Sequence, residues 1–253
     1  MGKRVLYKYL DAEGGLMMLQ NSNLMFTNAT QLNDPFDCHP ALFDYSNAPE
    51  MESGWPSSDF ISLMEERFNE NQRYNTWICS LSEVHNSLLM WAFYTEKHQG
   101  ICIGINMEKA KPYLDRIYGS ILGCMELKVQ YMNIVEKPDF FRDKKDLFKY
   151  QLATKAREWE HEHEVRLISY EPSPMHKKLL PNQIGKEVLD GKEVHVFADL
   201  GGECFESVYL GINMNEEEKE KIIKAAKKTN PNINIHQMTT DPNAFKLKDV
   251  LIK

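Results

Sequence analysis

The chain contains a short run of alternating charges that leads directly into an apolar stretch. Every second position is charged in this run, through Glu160, Glu162, Glu164 and Arg166, and Leu167-Ile168 follow. Alternate residues of a β-strand point to the same face, so a strand that begins here places these charges together. Closely spaced carboxylates repel one another, and each therefore needs a nearby cation or open water. The pattern favours a site that binds a polar ligand.

The same run also fits a helix that continues from Lys155 through Glu164. Glu, Lys and Ala favour helix, whereas the β-branched and apolar residues from Val165 onward favour strand. We expect a helix over Lys144–Trp159 and a strand over Glu162–Tyr170. The two carboxylates at the start of that strand then share one face.

Composition and charge restrict the class of protein. The 253 residues are 42% hydrophobic and 26% charged, and no apolar run approaches the roughly 20 residues that span a bilayer. The segment Met1–Tyr9 lacks the apolar stretch of a signal peptide, so we expect a cytoplasmic, water-soluble protein. Five scattered cysteines without CxxC spacing predict neither disulfides nor a thiolate zinc site. A net charge of -7 argues against broad binding to phosphate backbones.

The order of the predicted elements indicates the fold class. Strands are predicted at Val5–Leu10, Thr76–Ser82 and Gly100–Ile105, and helices at Asn86–His98 and Asn215–Thr229. Strands and helices are mixed without a regular β-α-β period, which favours α+β over a doubly wound sheet. We expect a single α+β domain over residues 1–253.

Several separate motifs occur in one order along the chain. They are Tyr7-Lys8-Tyr9, Asn33-Asp34-Pro35-Phe36-Asp37, Cys79-Ser80-Leu81-Ser82, Met90-Trp91-Ala92-Phe93-Tyr94 with His98-Gln99-Gly100, Val129-Gln130-Tyr131, and Lys155 with Trp159, Glu162, Glu164 and Arg166. In this order they resemble the pattern of a bacterial domain-of-unknown-function family, number 2971, over nearly the whole chain. That resemblance implies no established activity.

A more distant resemblance implies a mechanism. A basic residue on a first strand, Ser-x-Ser on a middle strand and Glu-x-Glu at the start of a late strand are similar to the arginine, serine and glutamate order of ADP-ribosyltransferases. The resemblance implies mainly antiparallel sheets that form a cleft, with helices packed around them and NAD bound as a substrate in that cleft. The nicotinamide-ribose bond is then cleaved, and ADP-ribose passes to an acceptor that the sequence does not identify: protein, nucleic acid or small molecule. Such an enzyme is expected to act as a toxin or phage-defence effector.

The resemblance also implies roles for individual residues. Cleavage passes through an oxocarbenium-like state that a carboxylate near the ribose stabilises, which is the role expected of Glu164. Glu162 is expected to orient or deprotonate the acceptor. The expected NAD contacts are Ser80 and Ser82 at the ribose, Lys8 at the diphosphate, and Tyr9 or Tyr94 against the nicotinamide, with Arg166 either at the site or paired with Glu164. The pattern departs from the transferases at Lys8, where arginine or histidine is expected.

Other interpretations of these residues remain open. Asn33-Asp34-Pro35-Phe36 predicts a capped turn or, alternatively, a loop that contacts ligand. His161 and His163 are either surface histidines or two ligands of a metal site. Asp34, Asp37, Glu162 and Glu164 are the oxygen ligands expected if the chain is instead a Mg²⁺-dependent nuclease or phosphoesterase. A non-catalytic nucleotide sensor or interaction module is the third candidate.

Overall fold

The computed structural model describes residues 3–48, 57–63, 71–115, 124–143, 146–170, 184–189 and 192–252. Within these ranges the strands are β1 (Val5–Leu10), β2 (Asn23–Asn28), β3 (Thr76–Ser82), β4 (Ile101–Asn106), β5 (Met125–Lys128), β6 (Gln130–Met132), β7 (Thr154–Ala156), β8 (Glu164–Tyr170), β9 (Ile184–Leu189), β10 (Lys192–Asp199), β11 (Phe205–Leu210), β12 (Asn234–Thr240) and β13 (Leu247–Leu251). The α-helices are α1 (Ala12–Asn21), α2 (Ser57–Leu63), α3 (Asn71–Tyr74), α4 (Leu88–Tyr94), α5 (Met107–Leu114), α6 (Leu147–Ala153) and α7 (Glu216–Thr229).

Eleven of these strands form one mixed, mainly antiparallel sheet. Its order is β13-β12-β11-β4-β1-β3-β2-β10-β9, and β8 branches from β3 to pair with β5. Within this described sheet only β11 and β12 run parallel. The separate pair β6 and β7 is also parallel. The predicted α+β class with a mainly antiparallel sheet is confirmed.

The sheet is weakly joined at one internal boundary. Strand β1 pairs with β4 along its whole length, but it pairs with β3 only where Tyr7 lies opposite Ser82. On either side of this pair, side chains bond to the backbone of the β3 region instead. The Nζ atom of Lys8 donates to the Ser80 carbonyl at 3.0 Å, and the Tyr9 hydroxyl donates to the Val84 carbonyl at 2.9 Å. The sheet therefore consists of two halves that separate between β1 and β3.

Hydrophobic packing stabilises both faces of the sheet. Helices α1 and α7 pack together over a large core that includes Leu6, Leu19, Ile103 and Ile222. A smaller core on the other face includes Tyr9, Trp91 of α4, Cys102, Tyr209 and Met238. Both cores are dominated by apolar groups, whose removal from water is the main force that drives folding. Helix α4 is thereby held beside the boundary between β1 and β3.

Most predicted strands are confirmed, but the segment before β8 differs from the prediction. The strands at Val5–Leu10 and Thr76–Ser82 have the expected bounds, and the third predicted strand is shifted by one residue to Ile101–Asn106. The predicted helix over Lys144–Trp159 is wrong in extent, because α6 ends at Ala153 and a 3₁₀ helix occupies Arg157–Glu162. Residues 144 and 145 lie outside the described part of the chain. Within the described residues, no helix is long and apolar enough to cross a membrane.

The start of β8 also corrects the predicted charged face. His163 adopts a left-handed backbone conformation with φ of 45°, and the strand begins only at Glu164. The side chain of Glu160 is 59% exposed, so its predicted place on a common face with the later carboxylates is wrong. A tight turn at His163 explains the difference, since it interrupts the alternation on which the prediction depended. Glu162 and Glu164 nevertheless meet, through a cation described below.

Candidate functional site

A cavity of about 120 Å³ lies where β1 and β3 separate. Seven of the eight residues predicted to form the NAD site line it: Lys8, Tyr9, Ser80, Ser82, Tyr94, Glu162 and Glu164. The remaining one, Arg166, is not part of its wall. Tyr7, Asn33, Asp37 and Lys155 also line the cavity, although the sequence analysis assigned none of them to the NAD site. The fold therefore collects side chains from distant parts of the chain around one small space.

Lys155 is the cation that brings the two predicted carboxylates together. Its Nζ atom lies 2.5 Å from Glu162 Oε2 and 3.3 Å from Glu164 Oε2, and its side chain is 5% exposed. Asp37 Oδ2 is a third carboxylate oxygen near this amine, at 3.9 Å. The same amine lies 4.9 Å from the centre of the Trp159 ring, within the range of a cation-π contact. Lys155 thus satisfies the requirement for a counter-ion that the charge pattern imposed.

Arg166 is fully buried outside the cavity lining and binds two of the acidic side chains. Its guanidinium donates to both Asp37 oxygens at 2.7 and 2.6 Å and to both Glu164 oxygens at 3.0 and 3.1 Å. A fifth bond, of 2.9 Å, runs to the Leu152 carbonyl. All five guanidinium N–H groups are therefore engaged within the protein. The structure places Arg166 in the structural ion pair and not at the cavity surface, because no donor remains to reach a ligand.

The two cations keep Glu164 ionised. Burial raises the pKa of the Glu164 carboxyl, but Arg166 and then Lys155 outweigh burial and lower this pKa to about 2. Burial acts in the opposite direction on Lys155, yet Glu164 and Glu162 raise the pKa of its amine. Opposite charges at these distances favour the charged form of each partner. A carboxylate that is ionised at neutral pH therefore lies in the cavity wall.

Glu162 reaches the same cavity from the end of the 3₁₀ helix. Its Oε1 accepts a 2.5 Å hydrogen bond from the Tyr94 hydroxyl, while its Oε2 faces Lys155. The Ser82 hydroxyl donates to the Glu162 carbonyl at 2.7 Å and fixes the end of this segment. Burial, followed by the bond and charge of Glu162, raises the pKa of the Tyr94 hydroxyl. Tyr94 thus stays a neutral donor that orients the carboxylate.

Lys8 adds a further positive charge to the lining of the cavity. It is half-buried, and its amine donates to the Ser80 carbonyl. Among the ion pairs of the described residues, none involves Lys8. An ammonium bonded to a single carbonyl retains two further N–H donors. The cavity lining therefore combines carboxylates with a cation that has no carboxylate partner among the described residues.

The Asn33–Asp37 segment is both a capped turn and part of the wall. Asp34 Oδ1 accepts a bond of 2.9 Å from the Phe36 amide, and the Asp37 amide donates to the Asp34 carbonyl at 3.1 Å. These bonds fit the turn that the sequence predicts. Asn33 and Asp37 also line the cavity, whereas the Phe36 side chain is 63% exposed.

The predicted metal ligands are not assembled into a metal site. Asp37, Glu162 and Glu164 face Lys155 and Arg166, and Asp34 does not line the cavity. His161 bonds to the Glu158 carbonyl, and His163 is exposed. Within the described ranges, no group of three or more His, Cys, Asp or Glu side chains is arranged to hold a metal ion.

Comparison of the chain with family models, curated proteins and solved structures finds no match. The interpretation of the cavity therefore depends on its own geometry and chemistry. Three features define it: an ionised carboxylate, a second carboxylate bonded to a tyrosine, and an ammonium that no carboxylate of the described residues pairs with. These groups suit a ligand that carries negative charge at one end and develops positive charge at the other.

Proposed function

We propose that the cavity binds NAD and that the chain is an ADP-ribosyltransferase-like enzyme. The observation that carries this proposal is the separation of β1 from β3, which places Lys8, Ser80 and Glu164 of three neighbouring strands around one cavity. This arrangement supports the order of basic residue, serine and glutamate on which the distant resemblance rests. The resemblance to family 2971 and a role as a toxin or phage-defence effector belong to the same proposal.

The ionised Glu164 carboxylate suits the chemistry of this reaction. Cleavage of the nicotinamide-ribose bond leaves positive charge on the ribose, and a fixed carboxylate beside it stabilises the transition state more than the ground state. Arg166 and Lys155 hold this carboxylate in place, so little reorganisation is needed as charge develops. Glu162 acts as the general base, accepting a proton from the acceptor at a carboxylate oriented by Tyr94.

The size of the cavity indicates how NAD is placed. Ligand pockets commonly measure about 300–1,000 Å³, so a cavity of about 120 Å³ encloses only part of a dinucleotide. We assign the nicotinamide end to the enclosed part, beside Tyr9 and Tyr94. The diphosphate then lies near the Lys8 ammonium, which is well suited to phosphate oxygens as a point charge. The rest of the molecule extends towards solvent.

Nicotinamide release from NAD tests this function. We expect the purified chain to release nicotinamide, and the Glu164→Gln variant to do so at least about 100-fold more slowly, a loss typical of one transition-state contact. Glu160→Gln is the matched control, because it changes the same residue type in the same segment at an exposed position. Circular dichroism and thermal unfolding of each variant separate lost chemistry from lost structure.

The proposal fails if the folded wild-type chain neither binds NAD nor releases nicotinamide. It also fails if a folded Glu164→Gln variant retains the wild-type rate. A non-catalytic nucleotide sensor is the second candidate, because both Glu164 oxygens are already bonded to buried cations. NAD binding without nicotinamide release in the wild-type chain would favour this second candidate.

A further inference from the structure

A second concave site lies on the other side of Lys155. This groove has a volume of about 440 Å³ and is lined by the turn at Asp34–Phe36, by residues that follow β6 and by the segment from Thr154 to Trp159. We call it the Phe36 groove. Lys155 lines both the groove and the cavity described above, so the two sites are neighbours.

The Phe36 groove exposes apolar side chains to solvent. Phe36 is 63% exposed, Ile134 is 79% exposed and Val135 is 38% exposed, and the half-buried Trp159 ring lies in the same wall. Clustered exposed apolar groups of this kind mark binding surfaces more often than isolated ones do. Hydrogen bonds of Asp34 hold the turn that carries Phe36. The ordered turn therefore keeps the Phe36 side chain exposed.

Asp34 contributes an incompletely bonded carboxylate to this groove. The residue is only 5% exposed, and its Oδ1 accepts the turn bond from the Phe36 amide. Its Oδ2 is buried and has no hydrogen-bond partner within the described part of the chain. Buried carboxylate oxygens are normally paired, so this oxygen requires a donor that the protein does not supply.

The charges around the groove indicate whether the group that carries this donor is charged. Lys155 is the one cation among the described lining residues, and its amine is committed to Glu162 and Glu164. Asp34 and the exposed Glu158 leave the groove with excess negative charge. A cation is the complementary group, and the Trp159 face adds a surface that attracts cations.

We propose that the Phe36 groove is a second binding site, for a small organic cation with an apolar body. A small movement of the Asp34 turn opens the buried Oδ2 to the groove, the ammonium donates to it, and the apolar body covers Phe36, Ile134 and Val135. The volume of about 440 Å³ falls in the range of small-molecule pockets, which favours a small molecule over a protein segment. This binding does not depend on NAD, so it stands whether or not the proposed function holds.

Three probes with the same apolar body test the proposal: 2-phenylethylammonium, 2-phenylethanol and 3-phenylpropionate. We expect calorimetry to show that the wild-type chain binds the ammonium at least about tenfold more tightly than the alcohol, since a charge-assisted hydrogen bond distinguishes them. The carboxylate is expected to bind most weakly. Binding of the ammonium should change the fluorescence of Trp159, and this change should be lost in Trp159→Phe.

The Asp34→Asn variant locates the site. Asparagine keeps an oxygen that accepts the Phe36 amide bond, but it removes the charge, so the fold is retained and the preference for the ammonium should disappear. Glu160→Gln, outside the groove, should bind all three probes like the wild type. Equal binding of the three probes, or an unchanged preference in Asp34→Asn, would overturn the proposal. Binding only by a peptide with a lysine between apolar residues would replace the small molecule with a protein partner and overturn the proposed occupant.

Discussion

Replacement of Arg166 by methionine tests whether the acidic cluster depends on its buried cation. The change retains an apolar stem of similar length but removes five hydrogen bonds to Asp37, Glu164 and the Leu152 carbonyl. Asp37 and Glu164 are 2% and 3% exposed, so neither carboxylate can turn to bulk water without local rearrangement. Lys155 alone would then face three carboxylates.

The expected loss of stability follows from this burial. Removal of one partner from a buried ion pair costs about 3–5 kcal/mol, because the remaining charge stays desolvated. This corresponds to roughly two to four orders of magnitude in the folding equilibrium. It is also a large part of the roughly 5–15 kcal/mol that stabilises a typical protein. Arg166→Lys should be less damaging, since it keeps the charge but loses the bidentate geometry.

Urea unfolding at about pH 7, followed by circular dichroism, measures these effects. The matched control is Arg157→Met, because Arg157 is 55% exposed and its one ion pair among the described residues, with Glu160, is long at 4.0 Å. We expect the control to change the unfolding free energy by less than about 0.5 kcal/mol. A loss below about 1 kcal/mol in Arg166→Met, with an unchanged urea dependence, would refute the assigned role of the buried network.

Three further predictions concern pH, a hydrogen bond and a close backbone contact. The pKa of Glu164 is lowered from 4.5 to about 2, so its ionised form stabilises the native state above pH 4.5. This contribution is lost as the pH falls towards 2. The free energy of unfolding measured with urea should therefore decline across this range, and the decline should be smaller in Glu164→Gln. Tyr94→Phe removes the bond to Glu162 and should cost about 1 kcal/mol in thermal or urea unfolding, whereas unchanged stability would contradict a formed bond. A Cβ on Gly100 would collide with the Leu10 carbonyl, so Gly100→Ala should lower stability by about 1–3 kcal/mol. The control is the half-buried helical Gly14→Ala, which should be nearly neutral because its Cβ would meet only the Asp11 side chain, at 3.0 Å.

The sequence predicts several strands of this fold well because they are rich in apolar, aromatic and β-branched residues. Val5–Leu10 and Thr76–Ser82 have the predicted bounds, and Asn215 caps α7 as expected. The sequence does not predict three of the short strands, β7, β9 and β13, and β7 lies inside the predicted helix over Lys144–Trp159. Strands β9 and β13 lie at the two edges of the sheet and each pairs with its neighbour in the sequence, β10 and β12, so they are missed because their own residues carry a weak strand signal.

The sequence predicts which residues belong to the candidate site better than it predicts how they are arranged. The alternation of charges points to Glu162 and Glu164, and both line the cavity, although the turn at His163 separates Glu162 from the strand. Lys155 was recognised only as part of a motif, because no local pattern shows that a lysine seven residues earlier folds back between the two carboxylates. The sequence allows two roles for Arg166, and its complete burial favours the structural one.

We propose that NAD binds in the opening between β1 and β3, where Lys8 is a cation without a carboxylate partner among the described residues. Calorimetric titration of NAD into the wild-type chain and into Lys8→Met tests this claim. Lys3→Met is the control, because Lys3 is 54% exposed and is paired with Glu206. We predict one NAD site in the wild type, at least about tenfold weaker binding in Lys8→Met and no change in the control. No binding by the wild type, or equal binding by Lys8→Met, would contradict the account.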